Sequence, residues 1–277
     1  MNRATTINLL LILFFTFLNS CETQPPTDPN KPQLKTGEVL VEINFTEKTN
    51  LNAQKIVQLE DFANVSCTPC LTSNKILESL TRNSQYSNQV RLIKFPTNFP
   101  SPVDPMYQTA KQYCDYRMNF YQILFAPTII VDGILRPVPT DSNQIRNAII
   151  QRLQSASDYW ISDSSDIINN GLFIKLNIET KNINNSELED LILRIAIVET
   201  EIEYQIPPGS NGETKFYDVA RIILPSNEGF RLSELKGHKS LTFENSLDST
   251  WNLSKIRAVS FIQKESTKEI IQSCIHN

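Results

Sequence analysis

Two cysteines separated by two residues, in Cys67-Thr68-Pro69-Cys70, are the part of this sequence best suited to covalent chemistry. Sulfurs at that spacing can close into a disulfide, and one thiolate can attack a disulfide elsewhere while its neighbour completes the exchange. Where such a pair opens a helix, the first sulfur lies over unpaired backbone N–H groups at the positive end of the helix dipole. That position favours thiolate over thiol. Cys67 is thus the expected nucleophile, and Cys70, about one turn further on, the resolving thiol. Pro69 suits a first helical turn, where no N–H is required.

The elements around the pair fit this placement. Glu38–Phe45 alternates apolar and polar residues as a strand does, and Ile56–Phe62 forms a second strand leading into the cysteines. Apolar residues at Leu71, Ile76, Leu77 and Leu80 predict the helix that follows. Val90–Phe95 is the next strand, Pro96–Pro105 breaks the chain, and a tyrosine-rich helix from about Met106 to Tyr121 reads as an insertion. Ala126-Pro127-Thr128-Ile129-Ile130-Val131-Asp132-Gly133 is a β-branched strand with a proline at its entrance. Asp141 or Ser142 then caps a helix running to about Leu153. This alternation of strand and helix is that of a small α/β domain.

The polar stretch Ser155–Asn170 reads as a domain boundary. Beyond it Gly171–Thr180, Leu191–Val198, Lys215–Leu224, Lys239–Phe243 and Ile256–Gln263 are strands without intervening helices, with a long turn at Pro207–Gly212. A mostly antiparallel β-sandwich over residues 156–277 is expected. Cys114 reads as a small buried hydrophobe; a disulfide to Cys274 would instead tie the halves together. Only His238 and His276 are available as histidine ligands, so neither a metal nor any other cofactor is expected. A net charge of −4 with scattered Lys and Arg argues against nucleic-acid binding.

Residues 37–155 resemble the thioredoxin-like superfamily at three places: the Cys67–Cys70 motif after a strand, Asp61 upstream of it, and the Ala126-Pro127-Thr128 loop. The resemblance implies an α/β thioredoxin-like fold in which Pro127 is cis and lies against the two sulfurs. There a proline keeps an N–H away from the thiolate and leaves the flanking backbone free to pair with an extended peptide. Asp61 would be the acid beneath the site, on the same strand face as Val57 and Leu59, exchanging a proton with Cys70. Departures are Ser66 in place of a tryptophan and Thr68 in place of a glycine.

The amino terminus points to export. Arg3 precedes an apolar run from Ile7 to Leu18, too short to span a bilayer as a helix but of signal-peptide length. Leu18-Asn19-Ser20-Cys21 resembles a lipobox, which implies cleavage after residue 20 and lipid on Cys21. Residues 21–36, with Pro25, Pro26, Pro29 and Pro32, read as an extended tether. The whole layout resembles the Omp twenty-eight-related family of outer-membrane lipoproteins, which implies an extracytoplasmic, lipid-anchored protein, most simply at the outer membrane. The expected partners are thiol- or disulfide-bearing envelope proteins and the membrane itself. The rival reading is a non-enzymatic binding or structural lipoprotein in which the cysteine pair is a static disulfide. Solvent access to the Cys67 sulfur separates the two, burial favouring the static bridge.

Overall fold

The computed structural model describes residues 32–181, 185–244 and 247–276; the signal segment, Cys21 and the tether up to residue 31 lie outside them. Residues from Gln33 onward form one compact unit of several sheets and a few helices. Among the described residues no helix is long and apolar enough to cross a membrane.

The first part of the chain runs β1 (Glu38–Glu47), β2 (Val57–Ala63), α1 (Thr68–Arg82), β3 (Val90–Pro96), α2 (Pro105–Tyr121), β4 (Thr128–Val131) and α3 (Ser142–Leu153). The second runs β5 (Tyr159–Ile168), β6 (Gly171–Thr180), α4 (Asn185–Glu189), β7 (Leu191–Glu199), β8 (Ile202–Glu203), β9 (Lys215–Phe216), β10 (Val219–Leu224), β11 (Phe230–Arg231), β12 (Gly237–Glu244), β13 (Ile256–Lys264), β14 (Ile270–Ser273) and β15 (Ile275–His276).

One sheet has the order β14-β13-β7-β10-β3-β2-β4, with β11 also paired to β7; the other has the order β12-β1-β6-β5-β15. Both take strands from either side of residue 155. In the second sheet β1 sits between β12 and β6, and in the first β10 lies beside β3. The alternation in β1 buries Val39, Val41, Ile43 and Phe45 against the core that the two sheets share. α2 adds Tyr107, Ala110, Cys114, Met118 and Tyr121 to it, so this helix is an integral layer of the fold. A smaller core beneath α1 and α3 is built from Val57, Leu59, Leu92, Ile129, Leu77 and Ile149 with their neighbours.

The polar stretch expected to be a boundary is instead largely strand β5, paired along its length with β6. Asn169 and Asn170, both at positive φ (51° and 58°), make the two-residue turn between them. Asparagine tolerates that backbone region better than most residues, which suits it to such hairpin turns. Polarity misleads here because the polar groups are satisfied inside: Ser162 and Asp163 are buried, and Asp163 Oδ2 accepts the Ser260 N–H at 2.9 Å. The expected strand Lys215–Leu224 is broken into β9 and β10 at Asp218, which has φ +52°.

Candidate functional site

β2 is buried on both faces, and alternation sends its polar residues opposite ways. Phe62 enters the core between the sheets, whereas Val57 and Leu59 face α1 and α3. Asp61 shares the parity of Val57 and Leu59, as expected. At the end of β2 the chain turns through Asn64, Val65 and Ser66 into α1, with Cys67 as its N-cap residue (φ −93°, ψ 106°). The Cys70 N–H donates to the Cys67 sulfur at 3.2 Å and to the Cys67 carbonyl at 3.2 Å, and Pro69 lies in the first turn. The two sulfurs are joined as a disulfide.

The approach to the motif is fixed by two polar side chains, Asn64 and Asp104. The Asn64 side-chain amide donates to the Thr97 and Ser101 carbonyls at 2.6 and 2.9 Å, and Asn64 Oδ1 accepts the Ser66 N–H at 2.9 Å. Asp104 accepts the Val65 N–H at 3.0 Å while its other oxygen caps α2 through Met106 and Tyr107. One carboxylate thus ties the motif to the start of α2. Asp104→Ala removes a cap and leaves the buried Val65 donor unmet. We expect it to lower the unfolding free energy by about 1–2 kcal/mol, measured by urea denaturation, with Asp104→Asn losing clearly less.

Pro127 has the expected cis peptide, with Ala126. Pro127 is buried, and Ala126 packs on a cluster of Ala63, Cys67 and Cys70. Asp61 is fully buried and paired with Lys94, its direct partner in the β2–β3 register. Lys94 also donates to Asn74 Oδ1 of α1, and Asn74 donates in turn to Glu213 Oε2 at 2.6 Å. Asp61 therefore reaches the helix of the motif through Lys94 and Asn74, and its Oδ1 has no hydrogen-bond partner among the described residues. Burial pushes the Glu213 carboxyl above its ordinary range, against the pull of Lys94 and of the Asn74 hydrogen bond.

The structure brings Cys67 and Cys70 into one cluster with Ala126, the residue joined to Pro127 through the cis peptide, and connects Asp61 to the helix of the motif through Lys94 and Asn74. Lys94, Asn74 and Glu213 escaped the sequence reading. For Lys94 there was a signal: of the two cations in Val90-Arg-Leu-Ile-Lys-Phe95, it is the one at the inward parity of Val90 and Leu92. Cys114 and Cys274 are buried and are not bridged to one another; burial drives both thiols far above the ordinary range, which makes them unreactive. Clefts of 580 and 590 Å³ lie elsewhere, lined by neither cysteine of the pair. Cys67 and Cys70 are 3% and 0% exposed, the condition that favours a static bridge.

No family model matches the chain, and no curated protein matches it. Solved structures that share its fold include HBP35 of Porphyromonas gingivalis, 15% identical with a TM-score of 0.61, over 82% of this chain and 75% of that one. Another is protein AGR_C_4864 from Agrobacterium tumefaciens, 11% identical with a TM-score of 0.51, over 81% of this chain and 94% of that one. At these identities the likeness is one of fold alone.

Proposed function

We propose that this chain is an exported lipoprotein of the bacterial envelope, anchored through Cys21, whose thioredoxin-like unit performs thiol–disulfide exchange on envelope proteins. Its remaining strands would be the sandwich part of an Omp twenty-eight-related lipoprotein. The observation that carries the reading is the cluster of a Cys67–Cys70 disulfide at a helix N-cap with the cis Ala126–Pro127 loop packed on it. The buried Asp61 below, with one oxygen unpartnered, supports a proton-moving role there.

In the reducing direction the Cys67 thiolate attacks a partner disulfide, forming a mixed disulfide and releasing one partner thiolate. Cys70, giving up its proton toward Asp61, then attacks the Cys67 sulfur. That frees the second partner thiolate and closes the Cys67–Cys70 bond, so two electrons have passed to the partner. In the oxidising direction the same steps run backward.

Burial of both sulfurs favours a second reading, a static bridge that holds the start of α1. One experiment separates the two. Cys70→Ser blocks resolution, so envelope proteins should accumulate on Cys67 as adducts that are absent from the Cys67→Ser, Cys70→Ser double variant. No adducts, together with a reduction potential below about −300 mV, as structural disulfides have, would overturn the exchange reading.

A further inference from the structure

A segment from far along the chain lies against the backbone that leads into the disulfide. β8 and β9 form a hairpin in which Ile202 pairs with Phe216 and Glu203 with Lys215. Its base is fastened: the Tyr204 N–H donates to the Thr214 carbonyl at 2.8 Å, and Phe216, Ile202 and Tyr204 pack with Val65 and Met106. Its tip, residues 205–213, lies along the backbone that enters the cysteine motif. The Asn211 N–H donates to the Val65 carbonyl at 3.0 Å. Ser210 Oγ reaches the Ser66 carbonyl, and Asn211 Nδ2 reaches the carbonyls of Asn64 and Cys67, each at 3.5 Å.

Gly209 is what allows so close a fit. A Cβ there would stand 2.4 Å from the Val65 carbonyl oxygen and 2.5 Å from Val65 Cγ2. The tip ends at Glu213, held to Asn74 of α1 and bracing Asn211, whose Oδ1 accepts the Glu213 N–H at 2.9 Å.

Only one hydrogen bond of ordinary length, from the Asn211 N–H to the Val65 carbonyl, holds the tip to residues 64–67. Three of its contacts with the motif are at the outer limit of a hydrogen bond. Its outer side chain, Ile206, is 78% exposed. A segment with few buried apolar contacts on an anchored base opens at low cost.

We propose that residues 205–213 are a cover that determines which thiols reach the Cys67–Cys70 disulfide, lifting about the β8–β9 base. Thiol exchange needs an incoming sulfur to approach the attacked sulfur directly, and a Cys67 only 3% exposed admits none while the tip is down. The cover deepens the exchange reading by supplying its selectivity, with Gly209 and Asn211 as positioning residues, and it reconciles a buried disulfide with turnover.

The test uses the full-length oxidised protein and dithiothreitol under native conditions. This dithiol closes to its cyclic disulfide as two electrons and two protons pass to Cys67 and Cys70. The rate is read by acid quenching, alkylation in denaturant and mass analysis of the peptide that carries both cysteines. Gly209→Val, which cannot seat the tip, should be reduced about tenfold faster than the parent, the factor given by about 1.4 kcal/mol of lost closure. Asn211→Ala should show a smaller acceleration in the same direction, and Ile206→Ser none. Leu172→Ala, which weakens the core between the sheets, reports on access by global unfolding. Parent-like rates in both tip variants would overturn the cover, as would an acceleration in Leu172→Ala equal to that in Gly209→Val. Failure of the exchange reading, seen as no trapped adducts in Cys70→Ser, leaves these rates unchanged, because a small dithiol needs only access.

Discussion

Arg117→Ala is expected to lower the unfolding free energy by about 3–5 kcal/mol, the range for removing one partner of a buried ion pair. Arg117 and Glu60 are both fully buried, and Arg117 Nε donates to Glu60 Oε1 at 2.9 Å. Around them the Tyr121 hydroxyl donates to Glu60 Oε2 at 2.6 Å and accepts from Gln263 Nε2 at 2.8 Å; Gln263 Oε1 accepts from Arg117 and Arg194 at 3.2 and 3.0 Å. Desolvation alone would loosen the Arg117 proton, yet the adjacent Glu60 charge outweighs it and holds the guanidinium more firmly ionised than usual. Alanine would strand the Glu60 carboxylate in a medium that cannot solvate it. It would also unclamp α2 from β2 and β13. The check is a guanidinium chloride titration of the single variant beside Glu60→Leu, Arg117→Met. The double variant should recover much of the loss, because an apolar pair of similar volume leaves no uncompensated charge. A cost below 1 kcal/mol for Arg117→Ala, on the order of a surface pair, would refute this account.

Lys94→Met should be comparably damaging, at about 3–5 kcal/mol on the same reasoning. Lys94 is almost wholly buried and pairs with an Asp61 that has no solvent exposure and one unsatisfied oxygen, so removing the ammonium leaves that carboxylate unmatched. Methionine fills the aliphatic stem, so the loss isolates charge from packing. Pairing Lys94→Met with Asp61→Leu should restore most of the stability. The functional readout differs between them. In the exchange reading Asp61→Leu removes the proton carrier, so resolution of the mixed disulfide by Cys70 should slow by about 10²-fold or more, in the single variant and in the stabilised double variant alike. Resolution at the parent rate in the double variant would leave Asp61–Lys94 as a structural pair only.

Much of the local structure was legible in the residues. Alternation in Glu38–Phe45 and the apolar run of β3 place strands where the structure has them. The spacing of Leu77 and Leu80 and the Asp141 cap likewise place α1 and α3. These are short-range signals, set by how a pleat or a helical turn distributes side chains over a few residues. The strand–cysteine–helix order around Cys67 belongs to the same class, as does the proline that enters β4. Strand β5 did not, because a run such as Ile161-Ser-Asp-Ser-Ser-Asp166 looks solvated until Ser260, a distant residue, supplies the donor that lets Asp163 be buried. The Glu60–Arg117 pair was equally invisible: neither charge has a local partner, and each is affordable inside only because the fold delivers the other.

For this protein the sequence alone determined the chemistry available: two sulfurs at a helix start, an acid on the inward face of the strand before them, and a proline loop able to meet them. Tertiary structure decided how that chemistry is presented. Pairing of β1 with β6 and β12, and of β3 with β10, carries the sheets across residue 155, and the β8–β9 hairpin packs on Val65, in the turn that enters the cysteine motif. The physical reason is range. Backbone propensity and side-chain alternation act over a turn or a pleat, whereas the seating of Gly209 against Val65 and of Asn211 against the Cys67 carbonyl depends on a register between segments more than a hundred residues apart, which no local pattern encodes.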